Sequence, residues 1–111
     1  MPKFTPQQLD ELYHQTLAEF AASPEKWTSF LDTAARLYKY DFKSQVLIWS
    51  QRPDATACAE LPLWNERLHR RVNRGSNGIG IVDNSSGQPR IKYLFEISDT
   101  SPRDPSVAPP Y

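Results

Sequence analysis

Four arginines stand within eight positions of this 111-residue sequence, immediately before a glycine. They are Arg67, Arg70, Arg71 and Arg74, followed by Gly75. Arginine presents five N–H donors in a planar fork, which suits phosphate oxygens and the faces of bases. A glycine turn beside such a cluster lets backbone N–H groups approach a phosphate closely. The residue types therefore predict a phosphate or nucleic-acid contact at this point of the chain.

These arginines also have a second interpretation. Basic side chains in the last turn of a helix interact favourably with the helix dipole and with free carbonyl groups, at about 0.3–1 kcal/mol each. Runs of charge also commonly form a solvated face. The residues alone leave both interpretations open.

The charge distribution sets the arginine cluster apart. The whole sequence is neutral, with 13 basic and 13 acidic side chains, so no overall field attracts it to polyanions. Residues 61–92 nevertheless carry six Lys or Arg side chains against two acidic ones. A local excess of positive charge fits a binding face better than general adhesion to polyanions.

No arrangement of residues in the sequence is typical of a catalytic centre. The two histidines, His14 and His69, fall on different predicted helices, and a single cysteine cannot make a zinc site. Gly75, Gly78 and Gly80 lead into a predicted strand, whereas a nucleotide-binding glycine loop links a strand to a helix. We therefore expect a protein that is not an enzyme and that uses no metal and no cofactor.

The cysteine count indicates the compartment. Cys58 is the only cysteine, so an internal disulfide is impossible and a reducing cytoplasm is expected. No apolar run approaches the ~20 residues of a membrane span, and the N-terminus lacks the apolar region of a signal peptide. We expect a cytoplasmic protein with no membrane partner.

Three helices are predicted ahead of the arginine cluster. Thr5, Ser23 and Asp41 have the residue types of helix N-caps, and the first two precede a proline. The helices are predicted to end near Ala22, near Lys39 and before Pro53, respectively. The third is apolar almost all round, which indicates burial on more than one side. Its Gln45 must therefore bond to backbone or face a ligand, and we favour the structural role.

A short fourth helix and a β-hairpin are predicted to flank the glycine turn. The helix runs from Leu63 to about His69, and residues 78–82 and 91–97 have the composition of two strands joined by a polar loop. Residues 57–60 and the segment around Val72 could add edge strands. The predicted fold is thus α+β, with three to four N-terminal helices packed on a small antiparallel sheet.

The composition changes at Thr100, after which prolines and small polar residues dominate. Such a segment is typical of a linker. We therefore expect one domain at residues 1–99 and a Pro-rich C-terminal tail at residues 100–111. The tail is expected to continue into a longer parent protein.

One stretch of the sequence resembles a known family. The matching positions are Tyr40-x-Phe42-x-x-Gln45-x-Leu47-Ile48-x-x-Gln51-x-Pro53-x-Ala55-Thr56, then Trp64, then Arg71-Val72-x-Arg74-Gly75-x-x-Gly78-Ile79. They are similar to the N-terminal domain of the antirestriction protein ArdC family, which also occurs in large helicase-like and methylase-like proteins of conjugative transposons. The resemblance covers residues 27–99 and is most specific over 64–82. The metal motif of the peptidase-like domain that follows in ArdC is absent here.

The resemblance implies binding of single-stranded DNA, and the residues can supply both parts of such a site. Nonspecific single-strand binders combine a positive groove with aromatic side chains on which bases stack, at about 1–3 kcal/mol per base. The groove would be formed by Arg67, Arg70, Arg71, Arg74 and Gly75, with Lys92 and Arg52 at its edges. The stacking candidates are Trp64, Tyr93 and Trp49. A place in the core stays open for each aromatic and is favoured for Trp49.

We therefore expect a non-enzymatic nucleic-acid-binding module, preferring single-stranded DNA, that positions a larger mobile-element protein on its substrate. The alternative is a protein–protein docking domain. In that case the arginine face would meet an acidic partner or another domain of the parent chain.

Overall fold

The computed structural model describes residues 4–85 and 87–102, which form an α+β fold. Its three N-terminal helices are α1 (Pro6–Ala22), α2 (Pro24–Arg36) and α3 (Phe42–Gln51). The predicted caps are confirmed: the side chains of Thr5, Ser23 and Asp41 each accept a backbone N–H from the first turn of their helix. Gln8 returns a bond from its side chain to the Thr5 N–H at 2.9 Å, which completes a capping box.

Five short strands follow, and all of their pairings are antiparallel. They are β1 (Cys58–Ala59), β2 (Arg70–Val72), β3 (Ile79–Asp83), β4 (Arg90–Glu96) and β5 (Thr100–Pro102). A three-stranded sheet has the order β1-β4-β3, and a separate ribbon joins β2 to β5. The predicted hairpin is confirmed as β3–β4, in register from Ile79 opposite Leu94 to Asp83 opposite Arg90.

The predicted fourth helix is shorter than expected and has a different form. Leu63–Arg67 make a single π-helical turn, in which the Leu68 N–H donates to the Leu63 carbonyl at 3.1 Å. His69 then adopts a left-handed φ of 51°, which turns the chain out of the helix. The next arginines therefore lie on a strand and not in a last helical turn. Of the four arginines, only Arg67 lies in the last turn of a helix, so the helix-dipole interpretation applies to Arg67 only.

Residues 100–102 do not belong to a linker, contrary to what the predicted boundary at residue 99 implied. Thr100–Pro102 form β5, which pairs with β2 so that Arg71 lies opposite Ser101 and Val72 opposite Thr100. Thr100 is buried and belongs to the folded domain. Its pairing partner lies 28 residues earlier in the chain, so local composition could not reveal the pairing. The remainder of the predicted Pro-rich tail, residues 103–111, lies outside the described residues.

Helix α3 lies at the centre of the fold. Val46, Leu47 and Ile48 have no exposed surface, as the apolar pattern predicted. Gln45 donates to the Leu37 carbonyl at 3.0 Å, which confirms its structural role. Gln51 joins the helix to the sheet, because its amide donates to the Gly80 carbonyl at 2.8 Å and accepts the Gly80 N–H at 2.9 Å. In the described part of the chain, no helix is long and apolar enough to cross a membrane.

Candidate nucleic-acid interface

The arginine segment (residues 67–75) rests on a small apolar cluster centred on Trp64. Trp64 is fully buried, and Val72 of β2 packs against its cluster together with Phe95. The Trp64 indole N–H donates to the Phe95 carbonyl at 2.9 Å. A base cannot stack on a ring without exposed surface. The expectation that Trp64 stacks on bases is therefore wrong, and the ring instead supports the strand that carries the arginines.

The other two aromatic candidates differ from each other. Trp49 is 8% exposed in the core and its indole N–H donates to Ser29 Oγ at 3.3 Å, which confirms the core interpretation. Tyr93 is half-buried, and its hydroxyl accepts the Phe4 N–H at 3.2 Å. A Cβ added at Gly78 would lie 3.1 Å from the Tyr93 ring, so this glycine lets the ring pack on the backbone. Tyr93 thus retains only part of its surface for a ligand.

Arg70 is bound to the strand that faces it. Its Nε donates to Thr100 Oγ1 at 2.7 Å and its Nη2 donates to the Thr100 carbonyl at 3.2 Å. Both acceptors are neutral. They fix the position of the guanidinium without placing a negative charge beside it. Arg70 therefore helps to hold β2 on β5 and still adds positive potential to the arginine segment.

Arg67, Arg71 and Arg74 are the exposed cations of the arginine segment. Within residues 4–85 and 87–102, none of the three forms an ion pair or a side-chain hydrogen bond, even though Glu66 is adjacent in sequence. Their charges are therefore uncompensated among the described residues. Such an arrangement favours an anionic ligand.

Gly75 shapes the turn that follows the strand. Its φ is +85°, a value that residues with a side chain rarely adopt, although an added Cβ would meet nothing within 4 Å. The glycine is therefore required by the backbone conformation and not by lack of space. The turn is closed by a hydrogen bond from the Ser76 N–H to the Asn73 carbonyl at 3.2 Å, and the Asn73 N–H donates to the Asp99 carbonyl at 2.8 Å.

The sequence predicted Arg52 at the edge of the positive groove, but the structure shows that its guanidinium is bound to acidic side chains of the domain. Its guanidinium contacts Asp99 at 2.7 Å, Asp54 at 3.5 Å and Glu96 at 3.6 Å, and it donates to Ser98 Oγ at 2.9 Å. We call these residues the Arg52 cluster. Three carboxylates more than offset the single positive charge, so Arg52 is a structural residue and not a phosphate ligand.

Lys92 is compensated in the same way. Its Nζ lies 3.2 Å from Glu60 Oε1 and 3.7 Å from Asp83 Oδ2. The hydrogen bond to Glu60, followed by the charges of both carboxylates, raises the pKa of Lys92. Two acids thus offset the charge of the Lys92 ammonium group, which makes Lys92 a weaker candidate for the edge of the positive groove than the sequence predicted.

Glu96 is a buried carboxylate that the sequence pattern did not reveal. Its Oε1 accepts the Thr56 N–H at 3.1 Å and the Thr56 hydroxyl at 3.0 Å, and its Oε2 accepts the Ser98 N–H at 2.6 Å and the Ser98 hydroxyl. Burial alone would raise the pKa of Glu96, but these hydrogen bonds outweigh it and the pKa is lowered. Thr56 lies 40 positions away in the chain, so no local signal identifies the contact.

Neither Cys58 nor a group of metal-ligating side chains provides a second candidate site in the described residues. Burial, reinforced by the charge of Glu96, raises the pKa of the Cys58 thiol to about 12, so the thiol is protonated at neutral pH and unsuited to nucleophilic attack. In the described ranges, no three His, Cys, Asp or Glu side chains are grouped so that they could hold a metal ion.

The fold and this geometry define an α+β domain with an uncompensated arginine strand and turn. No family model, no curated protein and no solved structure matches this chain in the comparisons.

Proposed function

We propose that this domain is a non-enzymatic module that binds single-stranded DNA through the arginine segment. The observation that carries the proposal is the set of three exposed arginines, Arg67, Arg71 and Arg74, without a carboxylate partner among the described residues. Arg70 adds a fourth charge fixed by neutral acceptors. Phosphate oxygens complete the planar donor fork of such guanidinium groups.

The resemblance to the ArdC N-terminal domain supports the preference for single strands and for DNA. It also supports a role inside a larger mobile-element protein, which the module would position on its substrate. The site then needs no reacting group of its own. Affinity comes from the arginines, which neutralise phosphates and release the counterions condensed around them.

Fluorescence anisotropy with a labelled 20-nucleotide single strand and the matching duplex tests the proposal. We expect the single strand to bind more tightly. Three to four phosphate contacts give a log–log salt slope of about −2 to −3, so affinity should fall roughly 20- to 50-fold between 50 and 200 mM salt. Absence of binding at 50 mM salt would refute the proposal.

A charge-reversed variant locates the site. Arg71→Glu combined with Arg74→Glu should abolish most of the binding while the fold is kept, because both side chains are exposed. The single variant Arg71→Glu has Arg90→Glu as its matched control, because each reverses one exposed arginine and changes the net charge by the same amount. Arg90 lies opposite Asp83, at the end of β3 far from the glycine turn. Equal losses in these two single variants would indicate a general charge effect and not a site.

The second candidate is a docking domain for an acidic protein segment. Leu63 is 38% exposed and lines the same depression as Arg67, and an apolar side chain beside an arginine suits a peptide that is both acidic and apolar. Competition separates the two functions. An acidic peptide that displaces the oligonucleotide only at high concentration favours DNA, whereas tight peptide binding together with weak oligonucleotide binding favours docking.

A further inference from the structure

A depression of about 570 Å³ lies between the end of α2, β1 and the π-helical turn. Its lining includes three cations, two tyrosines and an exposed leucine: Arg36, Lys39, Arg67, Tyr38, Tyr40 and Leu63. None of its lining residues is acidic. The volume is in the range of small-molecule sites, about 300–1,000 Å³.

The positive charges of this depression have no carboxylate partner among the described residues. Arg36 donates to the Ala55 carbonyl at 3.2 Å and to Thr33 Oγ1 at 3.3 Å, both of which are neutral. Lys39 and Arg67 are exposed and make no ion pair with any described residue. The three cations therefore point to an anionic occupant.

Two other depressions of the surface show the contrast. The one beside Lys92 is also lined by Asp41, Glu60 and Asp83. The one beside Arg52 is lined by Asp99. In both, a carboxylate stands next to the cation and would repel a phosphate. The depression that Arg67 shares with Arg36 and Lys39 has no acidic lining residue. Arg67 also borders a smaller depression, and that one is lined by Glu60 and Glu66.

Tyr38 adds an aromatic surface to these charges. It is 74% exposed, whereas Tyr40 is fixed by a hydrogen bond from its hydroxyl to the Cys58 carbonyl at 2.8 Å. A large aromatic side chain left in solvent gains by stacking on a planar apolar group, and nucleobases present such a face irrespective of sequence. Positive charge beside an exposed ring is the combination that single-strand binders use.

We infer that this depression is a nucleotide subsite in which a base stacks on Tyr38 while its phosphates contact Lys39 and Arg67. The inference rests on the proposed function and extends its site. Arg67 belongs both to the arginine segment and to the lining of the depression, so a strand bound at Arg71 and Arg74 can continue into it. Tyr38 is therefore a stacking residue, and it takes the role that the sequence assigned to the buried Trp64.

A cycle with an abasic oligonucleotide tests the stacking directly. The 111-residue chain, Tyr38→Ala and Tyr38→Phe are titrated against a labelled 20-nucleotide single strand and against a strand of the same length whose sugars lack bases. We expect Tyr38→Ala to weaken binding of the intact strand roughly 5- to 150-fold, the effect of losing one stacked base. Tyr38→Phe should bind like the original protein, because it retains the ring.

The abasic strand supplies the decisive comparison. If Tyr38 stacks on a base, Tyr38→Ala and the original protein should bind the abasic strand equally. Equal weakening on both strands would overturn the inference, because the tyrosine would then act on the backbone or on the fold. Phe42→Ala is the matched control, since Phe42 is 46% exposed and does not line the depression; a loss as large as that of Tyr38→Ala would also overturn it.

The outcome also separates this inference from the proposed function. If Arg71→Glu with Arg74→Glu abolishes binding and Tyr38→Ala leaves it unchanged, the DNA site stands and the subsite does not. If the original protein binds neither strand at 50 mM salt, both fail together.

Discussion

Arg52 and Arg71 are the same residue type in two opposite settings. Arg52 stands among three carboxylates and donates to Ser98. Arg71 is exposed on β2 and has no carboxylate partner in the part of the chain that the structure describes. The first arginine is paired within the domain, and the second is the one that we propose as a ligand contact. Compensation by neighbouring acids, and not residue type, separates the structural cation from the binding candidate.

The two regions are nevertheless joined through one short segment of the chain. The Asp99 carboxylate accepts a hydrogen bond from the Arg52 guanidinium. The Asp99 backbone carbonyl accepts the Asn73 N–H. Thr100, the next residue, accepts the guanidinium of Arg70. The Arg52 cluster therefore anchors the segment against which the arginine segment is paired. A substitution in the Arg52 cluster should therefore also disturb the position of the arginine segment. Substitution of an exposed arginine should leave the contacts of the Arg52 cluster unchanged.

The largest expected effect concerns the support beneath the arginines. Trp64→Ala removes a fully buried ring and the donor to the Phe95 carbonyl. We expect the free energy of unfolding to fall by about 3–5 kcal/mol, as for other buried aromatic truncations. Urea unfolding followed by circular dichroism measures it. If Trp64→Ala instead kept full stability and lost only oligonucleotide binding, Trp64 would be a ligand contact and our assignment of it to the core would be wrong.

The second-largest effect on stability is expected for Arg52, the arginine that is paired within the domain. Arg52→Ala leaves three carboxylates without their common cation, and Glu96 among them is 3% exposed. We expect a loss of about 2–3 kcal/mol in the free energy of unfolding, less than for a fully buried pair because the Arg52 side chain is 28% exposed. Denaturant midpoints of Arg52→Ala and Arg71→Ala, measured side by side, give the contrast. Equal midpoints would remove the distinction between the two arginines.

The parts of the fold that depend on residues close together in the chain could be predicted from the sequence. Thr5 and Gln8 lie within one helical turn and specify their cap by themselves. Asp41 does the same for α3 by accepting the Ser44 N–H. The β3–β4 hairpin follows from alternation and a polar loop, since both strands are close in the chain. These features depend on residues a few positions apart, where spacing and geometry are directly linked.

The assignment of the candidate site was less predictable because it depends on distant partners. Trp64 is buried by a cluster that includes Phe95, 31 positions away. Arg52 meets Asp99, 47 positions away. An aromatic or basic side chain has the same local pattern whether or not such a partner reaches it. The sequence could therefore name the arginine segment but could not distinguish its exposed members from the compensated cations around it.

A smaller effect should appear in the acid dependence of stability. Because the pKa of Glu96 is lowered in the folded protein, its carboxylate contributes fully above its ordinary pKa of 4.5 and the contribution is lost as pH falls through the lowered value. Glu96→Gln should be less stable by about 1–2 kcal/mol at pH 7, since its amide cannot accept from all four donors. Urea unfolding at pH 7, 4.5 and 3 should show this difference shrinking towards acid. A constant difference would mean that the carboxylate charge plays no part in holding the Arg52 cluster.

The smallest expected change in stability belongs to Arg71→Ala. An exposed side chain without a partner in the described residues should alter the free energy of unfolding by less than about 0.5 kcal/mol. Its effect should appear in binding instead, where loss of one phosphate contact makes the log–log salt slope for a single strand shallower by about 0.7. Anisotropy titrations at several salt concentrations, with Arg90→Ala as the control, resolve this change. An unchanged slope for Arg71→Ala would mean that an uncompensated charge on β2 does not by itself identify a phosphate ligand, and the contrast with Arg52 would then describe only the architecture of the domain.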